Sequence, residues 1–363
     1  MHFAVVCPHH GYINRGTENM TDDINKVLNK RGHKTRVFSV FDCKRVLRKD
    51  CGIGKVSDLF FEKSMFGGFS RKYIGFNPNI EDISFSLGIE LFLSALAPEF
   101  DLLWSNGEYW CANLINALGK KHNKPTLIFF GGGISQMMLE EAKMLPSIFV
   151  VLAPEMEKWV KKKVPKCNVK CIPSGVDLKL FKKSNKIPLG LRHFGRPIVI
   201  STAALIKSKR VDLTIRAMHE LGKGTLIMTG DGPLKNEIVS LGKKLLGNRF
   251  QYLGIVPFEH LPSLYSFADV MVLASDNEPY GAVLFEAMGC GTPVITQKDK
   301  TREWMVGSGG MLVDDCSNIK DLATAIAIVA KNKEEYKTRE QAEKFSWEKT
   351  VDGYEKAINE VIK

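Results

Sequence analysis

The feature that most constrains the fold is an alternation carried through both halves of the 363-residue chain, in which short, wholly apolar runs are followed by segments of helical periodicity. In the first half, Phe3 to Cys7 reads as a strand, and Ile24 and Leu28 fit one face of a helix closed by Gly32. TRVFSVF, DLLW, PTLIFF, IFVVLAP and VKCIP repeat the strand signal, with helices over EYWCANLINALGKKH and through Trp159. The second half is more regular. RPIVISTAAL, GTLIMTG, FQYLG, DVMVLAS and TPVIT read as strands, and VDLTIRAMHEL, LKNEIVSLGKKLL, HLPSLYSF, AVLFEAMG and IKDLATAIAIVA as the helices among them. This alternation predicts an α/β fold of doubly wound parallel sheets, and runs such as VMVL, apolar at every position, fit strands covered on both faces.

Two such domains are expected, since domains run to roughly 150 residues. The stretch KKSNKIPLGLRHFGRP, residues 182–197, is polar, basic and broken by Gly and Pro, as a linker would be. It divides the chain into an N-terminal domain, 1–181, and a C-terminal domain, 198–344, with the final helix at 345–363 packing back on the first. Carboxyl ends of two such sheets facing each other would line a central cleft. One segment fits neither period: residues 51–88, rich in Gly and Phe with Lys63, Arg71 and Lys72 interspersed, are either an irregular packing layer or a lid over a substrate.

Composition excludes several classes. With 44% hydrophobic and 25% charged residues the chain is neither disordered nor fibrous. No run approaches 18 apolar residues and MHFAVVCPHH is no secretory leader, so a cytoplasmic protein, at most peripheral to a membrane, is expected. The eight cysteines form no CxxC pair, and Cys167 and Cys171 have no metal-binding neighbours in sequence, which suits free thiols rather than a metal site. The net charge of +11 suits an anionic partner, and it is concentrated early: residues 1–72 hold 14 basic and 7 acidic groups. A sugar nucleotide, an anionic membrane surface and a nucleic acid all satisfy that charge. The Lys161–Lys163 run closes a helix, where cations favour the dipole, so no nucleic-acid partner is needed to explain it.

The segment DNEPYGAVLFEAMGCGTPVI, residues 276–295, carries the most chemistry. Pro279 biases Glu278 out of helical geometry, so this carboxylate belongs to the loop after DVMVLAS, and the helix opens near Gly281. Unpaired N–H groups of Gly281, Ala282, Val283 and Leu284, at the positive end of the helix dipole, form a seat for a diphosphate, with Tyr280 beside them. Glu286 lies inside the helix, where its two oxygens can accept from vicinal hydroxyls. Taken singly, each glutamate could equally be a helix cap or a surface ion pair.

The whole segment, Glu-x7-Glu within EPYGAVLFEAMGCGTPVI, resembles the signature of the retaining nucleotide-sugar glycosyltransferases of GT-B fold, glycosyltransferase family 4. CIPSGVDLKLF, TGDGPL, FQYLGIV and FSWEKTVDGYEKAI are similar to other family segments, whereas the N-terminal half matches only at its first strand and Gly loop. The resemblance implies two Rossmann-like domains and transfer of a sugar from a nucleotide-diphosphate sugar to a hydroxyl acceptor with retention of configuration. It makes Lys209 and Glu278 the expected catalytic residues, Lys209 pairing with the diphosphate and Glu278 holding the transferred sugar. Glu286 would hold the ribose, Gly281 to Leu284 the diphosphate, Ile255 and Val256 the base, and Gly16 would close over the phosphates. The expected partners are therefore the nucleotide-sugar donor and a glycan or lipid-linked acceptor.

Departure of the diphosphate builds negative charge on phosphate and oxocarbenium character on the sugar, so preorganised donors lower the barrier, each worth about 10² to 10³ in rate. Lys209 and the helix N-terminus supply donors, and the chain contains no Asp-x-Asp, so neither metal nor other cofactor is expected. Two positions depart from the family. Ala204 stands where an arginine is usual, and Gly131 begins GGGIS where a histidine is common; Arg15, Lys207 or Arg210 would be needed to restore the first charge. These losses keep two other readings open: a GT-B-fold sugar-nucleotide epimerase, and a catalytically degenerate binding subunit. Among weaker signals, His9 and His10 are loop residues, Asp231 in GDGP is turn chemistry, and GLRHFGRP lacks the Lys and Ser/Thr of a phosphate loop.

Overall fold

The computed structural model describes residues 1–7, 16–39, 90, 93–107, 109–186, 195–276 and 278–362. The segment 51–88, with its Phe and basic residues, and His9, His10, Arg15, Cys43 and Cys51 lie outside the described residues. The chain divides into two compact units, Met1–Pro173 with Thr350–Lys363, and Ser174–Lys349.

The first unit contains a six-stranded parallel sheet of β1 (His2–Val6), β2 (Lys34–Phe38), β3 (Leu102–Asn106), β4 (Thr126–Phe130), β5 (Ile148–Val151) and β6 (Val169–Cys171). Their order is β2-β1-β3-β4-β5-β6. The helix Gly16–Lys30 buries Ile24 and Leu28, the two residues whose spacing marks its inner face. It ends where Gly32 takes φ +87°, with the His33 N–H returning to the Leu28 carbonyl at 3.1 Å, a turn that only glycine enters without strain. β3, β4 and β5 are buried at every residue, which explains why their sequences do not alternate. Residues from Thr350 onward belong to this unit: Tyr354 lies with its ring 4.7 Å from that of Trp104, and Arg31 pairs with Asp352 and Glu355 at 2.6 Å.

The second unit repeats the plan with β7 (Ile198–Thr202), β8 (Thr225–Thr229), β9 (Phe250–Gly254), β10 (Val270–Leu273), β11 (Val294–Gln297) and β12 (Gly310–Val313). All neighbours are parallel and the order is β12-β11-β10-β7-β8-β9. Both faces are covered. Along β10, Met271 and Leu273 enter one apolar cluster with Phe285 and Met288, while Val270 and Val272 enter the other with Ile215 and Ile326. Each such side chain fully removed from water contributes roughly 1.5–3 kcal/mol. Phe181, in the stretch ahead of the polar segment 182–197, is buried in the first of these clusters, so the chain has joined the second unit before that segment begins; residues 187–194 of it lie outside the described residues.

Among the described residues no helix is long and apolar enough to cross a membrane, and Cys7, Cys111, Cys167, Cys171, Cys290 and Cys316 are free thiols.

Candidate active site

In the second sheet the direction of winding reverses between β10 and β7, because β7 is followed by β8 on one side and β10 by β11 on the other. Loops leaving the carboxyl ends of two such strands diverge and leave a crevice, the preferred ligand position in open α/β sheets. Both residues expected to act on the sugar diphosphate lie in these two loops. Lys209 ends a 3₁₀ turn, Lys207–Lys209, after β7, and Glu278 lies in the loop after β10. The structure brings them together: Lys209 Nζ donates to Glu278 Oε2, with the Glu278 side chain only 7% exposed and that of Lys209 24%.

The loops around this pair are fixed by backbone bonds. The Asp276 N–H reaches the Ser208 carbonyl at 3.1 Å, Leu205 N–H reaches Asp231 at 2.9 Å, and Gly230 N–H reaches Gly254 at 2.8 Å. The loops after β10, β7, β8 and β9 are thereby stitched into one rim. Gly230, at φ +121°, is required there, because a Cβ would stand 1.9 Å from the Ala203 carbonyl oxygen. Asp231 serves the turn: its carboxylate accepts from the Gly232 N–H at 2.7 Å and from Lys235 at 2.9 Å, and this lysine holds it below the usual carboxylate range.

Two arginines clamp the Glu278 loop, and neither is apparent from the motif. Arg302, 2% exposed, donates to the carbonyls of Ser275 and Asp276 at 2.7 Å each and to Asp299 at 2.6 Å. Asp299 in turn caps the helix Lys300–Val306 through the Arg302 N–H. The only sequence trace of this is the Asp-x-x-Arg spacing at a helix start. Arg210 adopts a left-handed φ of +44° and donates from Nε to the Ala274 carbonyl at 2.9 Å and from its other end to Gln297. Of the cations weighed as substitutes for the arginine missing at Ala204, Arg210 is thus committed to the loop and Lys207 is an exposed turn residue.

The helix Ala282–Gly289 begins at Gly281. Its N-terminus is less open than the sequence implied. The Ala282 N–H bonds the Tyr280 carbonyl at 3.2 Å across a γ-turn at Gly281, and the Leu284 N–H bonds Gly281 at 2.9 Å in 3₁₀ fashion. Among the described residues, Gly281 and Val283 retain N–H groups without a protein acceptor. Tyr280 donates to the Ser174 carbonyl at 2.5 Å and anchors this loop to the start of the unit.

Glu286 retains part of its surface, yet protein encloses its carboxyl group, and burial pushes it up to about 7. Tyr265, wholly buried on the helix Leu261–Phe267, donates its phenol to Glu286 Oε2 at 2.9 Å. Ile255, 76% exposed after β9, presents an apolar surface at the rim, and Val256 packs into the cluster below. Gly16 is the first residue of the helix Gly16–Lys30 in the first unit. Among the described residues no group of three or more His, Cys, Asp or Glu is placed to hold a metal ion.

Two six-stranded parallel sheets, each covered by helices, make up the GT-B architecture. Residues 187–346 match the family of glycosyl transferases group 1. Curated relatives include the GDP-mannose-dependent alpha-(1-6)-phosphatidylinositol dimannoside mannosyltransferase of Mycobacterium tuberculosis, 25% identical over 196 residues, 51% of this chain and 50% of the relative. The N-acetyl-alpha-D-glucosaminyl L-malate synthase of Bacillus anthracis is 26% identical over 264 residues, 69% of this chain and 66% of that protein. The chain thus spans between a half and two thirds of these relatives. Among solved structures, sucrose-phosphate synthase from Thermosynechococcus elongatus superposes with a TM-score of 0.76 at 20% identity, over 99% of this chain and 98% of that one. Anabaena HepE in complex with UDP and glucose gives 0.71 at 16% identity, over 99% of each chain.

Proposed function

We propose that the chain transfers a sugar from a nucleoside-diphosphate sugar to a hydroxyl acceptor with retention of anomeric configuration and without a divalent ion. The observation that carries this reading is the Lys209–Glu278 pair at the switch point of the family domain. An arriving diphosphate competes with Glu278 for the Lys209 ammonium. Once Lys209 is engaged by phosphate, Glu278 is free to accept from sugar hydroxyls, while the Gly281 and Val283 amides donate to the diphosphate oxygens. Glu286 then accepts from the ribose, and Ile255 and Val256 line the base. Gly16 keeps the role that the family resemblance implies. Charge that develops on the departing phosphate meets a fixed cation and fixed amides, so little reorganisation accompanies bond breaking. The leaving phosphate takes the acceptor's proton.

The relatives are named as transferases and synthases, which supports transfer over epimerisation. A phosphatidylinositol mannoside in the name of one relative supports a lipid-linked acceptor reached at an anionic membrane surface. A thermal-shift screen of UDP-, GDP- and ADP-sugars identifies the donor by linkage, and donor turnover is then followed as nucleoside diphosphate release. Lys209→Ala is expected to lower turnover by about 10² or more while the protein stays folded. Undiminished release in that variant removes Lys209 from the mechanism. NMR of the product's anomeric centre tests retention.

A further inference from the structure

Glu286 is aimed by a residue that no sequence motif marks. Tyr265 is fixed at both of its polar ends. Its carbonyl accepts the Thr292 hydroxyl at 2.5 Å, which ties the end of its helix to the turn beyond helix Ala282–Gly289. Its phenol donates to one oxygen of Glu286 at 2.9 Å. Between these ends the ring is 0% exposed, in the apolar cluster with Phe181 and Phe285. A buried ring held this way has no second rotamer available without opening the cluster. An ionised carboxylate has two oxygens and about four acceptor positions. Occupation of Oε2 from the protein side leaves Oε1 as the oxygen with no protein donor among the described residues.

We propose that Tyr265 is a positioning residue for the nucleotide's pentose: its phenol fixes Glu286 by one oxygen so that the other accepts from a vicinal ribose diol. The inference rests on the ribose reading of Glu286 and adds to it the residue that sets the carboxylate's geometry. Other charged or titratable groups near Glu286 are few. Cys290, at the end of the same helix, is a thiol pushed up to about 12 by burial, and so remains neutral. Arg339, on the adjoining helix Thr338–Glu343, is committed to the Phe181, Gly289 and Leu178 carbonyls and to Glu343. β10 and β11 offer no titratable side chain.

The test compares binding of UDP with that of 2′,3′-dideoxy-UDP to the full chain by calorimetry, or the GDP pair if GDP is the diphosphate bound. Glu286→Gln is expected to collapse the preference for the ribonucleotide. Tyr265→Phe should weaken the ribonucleotide by roughly 10- to 150-fold, the range for a hydrogen bond to a charged group, and leave the dideoxy compound unchanged. It should also move the acidic limb of ribonucleotide binding to higher pH, because the phenol stabilises the charged carboxylate. Incorporation of 3-fluorotyrosine at position 265 keeps the packing and strengthens the donor, so the limb should move to lower pH; this arm decides the matter where Tyr265→Phe fails to fold. Equal weakening of both nucleotides by Tyr265→Phe, or a limb unmoved by fluorination, overturns the proposal. If Glu286→Gln leaves the preference intact, the ribose reading fails and this one with it. If Glu286→Gln abolishes the preference and Tyr265→Phe does not, only the Tyr265 inference falls.

Discussion

At the scale of single residues, the site sets a cost in stability against a need for charge. The carboxyl of Glu286 titrates near 7 in the fold, against about 4.3 in an unfolded chain. Between those values the folded state binds the proton more tightly, so this group's contribution to stability falls as pH rises from about 4.3 and is at its lowest above about 7. Glu286→Gln removes the charge and retains an acceptor for Tyr265. The variant is expected to melt a few degrees higher than the parent at pH 8 and to lose that advantage near pH 5, which scanning calorimetry at the two pH values measures. The sequence marked Glu278, Glu286 and Lys209, because a motif spells them out over a short stretch or at a fixed offset from a strand. Tyr265 and Arg302 escaped it for a physical reason: each acts through a neighbour 21 to 27 residues away along the chain, and only the packing of two elements creates the contact.

At the scale of elements, strands buried on both faces announced themselves, since continuous apolar runs such as VMVL have few other uses in a soluble chain. β12 did not, because it is a four-residue edge strand opened by glycine and too short to show a period. The helices Lys300–Val306 and Thr338–Glu343, of seven and six residues, were likewise too brief. RPIVISTAAL reads as strand to its end, but β7 stops at Thr202: Ala203 still bonds Thr229, the last residue of β8, and Leu205 then bonds Asp231 in the loop beyond it. The briefest elements nevertheless hold the site, as helix Lys300–Val306 shows by carrying Arg302 beneath the Glu278 loop. Arg302→Leu keeps much of the volume but leaves Asp299 without its charge partner and two carbonyls without donors. A loss of about 3 kcal/mol is expected, mainly from the two carbonyls left without donors, since Asp299 is partly exposed. Urea denaturation reads the loss, and a midpoint within experimental error of the parent's would show that the clamp is idle.

At the scale of the whole molecule, the chain's last helix, Trp347–Asn359, changes allegiance midway, and this makes the two units separable by experiment. Before Thr350 it belongs to the second unit, where Trp347 stands so close to Gly175 that a Cβ there would lie 2.4 Å from the indole. From Thr350 onward it completes the first unit, burying Tyr354, Ala357 and Ile358 and supplying Asp352, Glu355 and Glu360 as partners of Arg31, His33 and Lys170. Loss of three buried apolar side chains costs several kcal/mol by the usual 1.5–3 kcal/mol each, a large share of the roughly 5–15 kcal/mol that holds a domain folded. A chain ending at Lys349 should therefore lose the unfolding transition of the first unit. The second unit keeps Lys209, Glu278, Glu286, Tyr265 and its own two apolar clusters, so nucleoside diphosphate should still raise the remaining transition. Calorimetry of the truncated chain with and without UDP or GDP separates the outcomes: one ligand-responsive transition supports a nucleotide site that the second unit holds alone, whereas loss of the nucleotide's effect would show that the first unit's residues are indispensable to it.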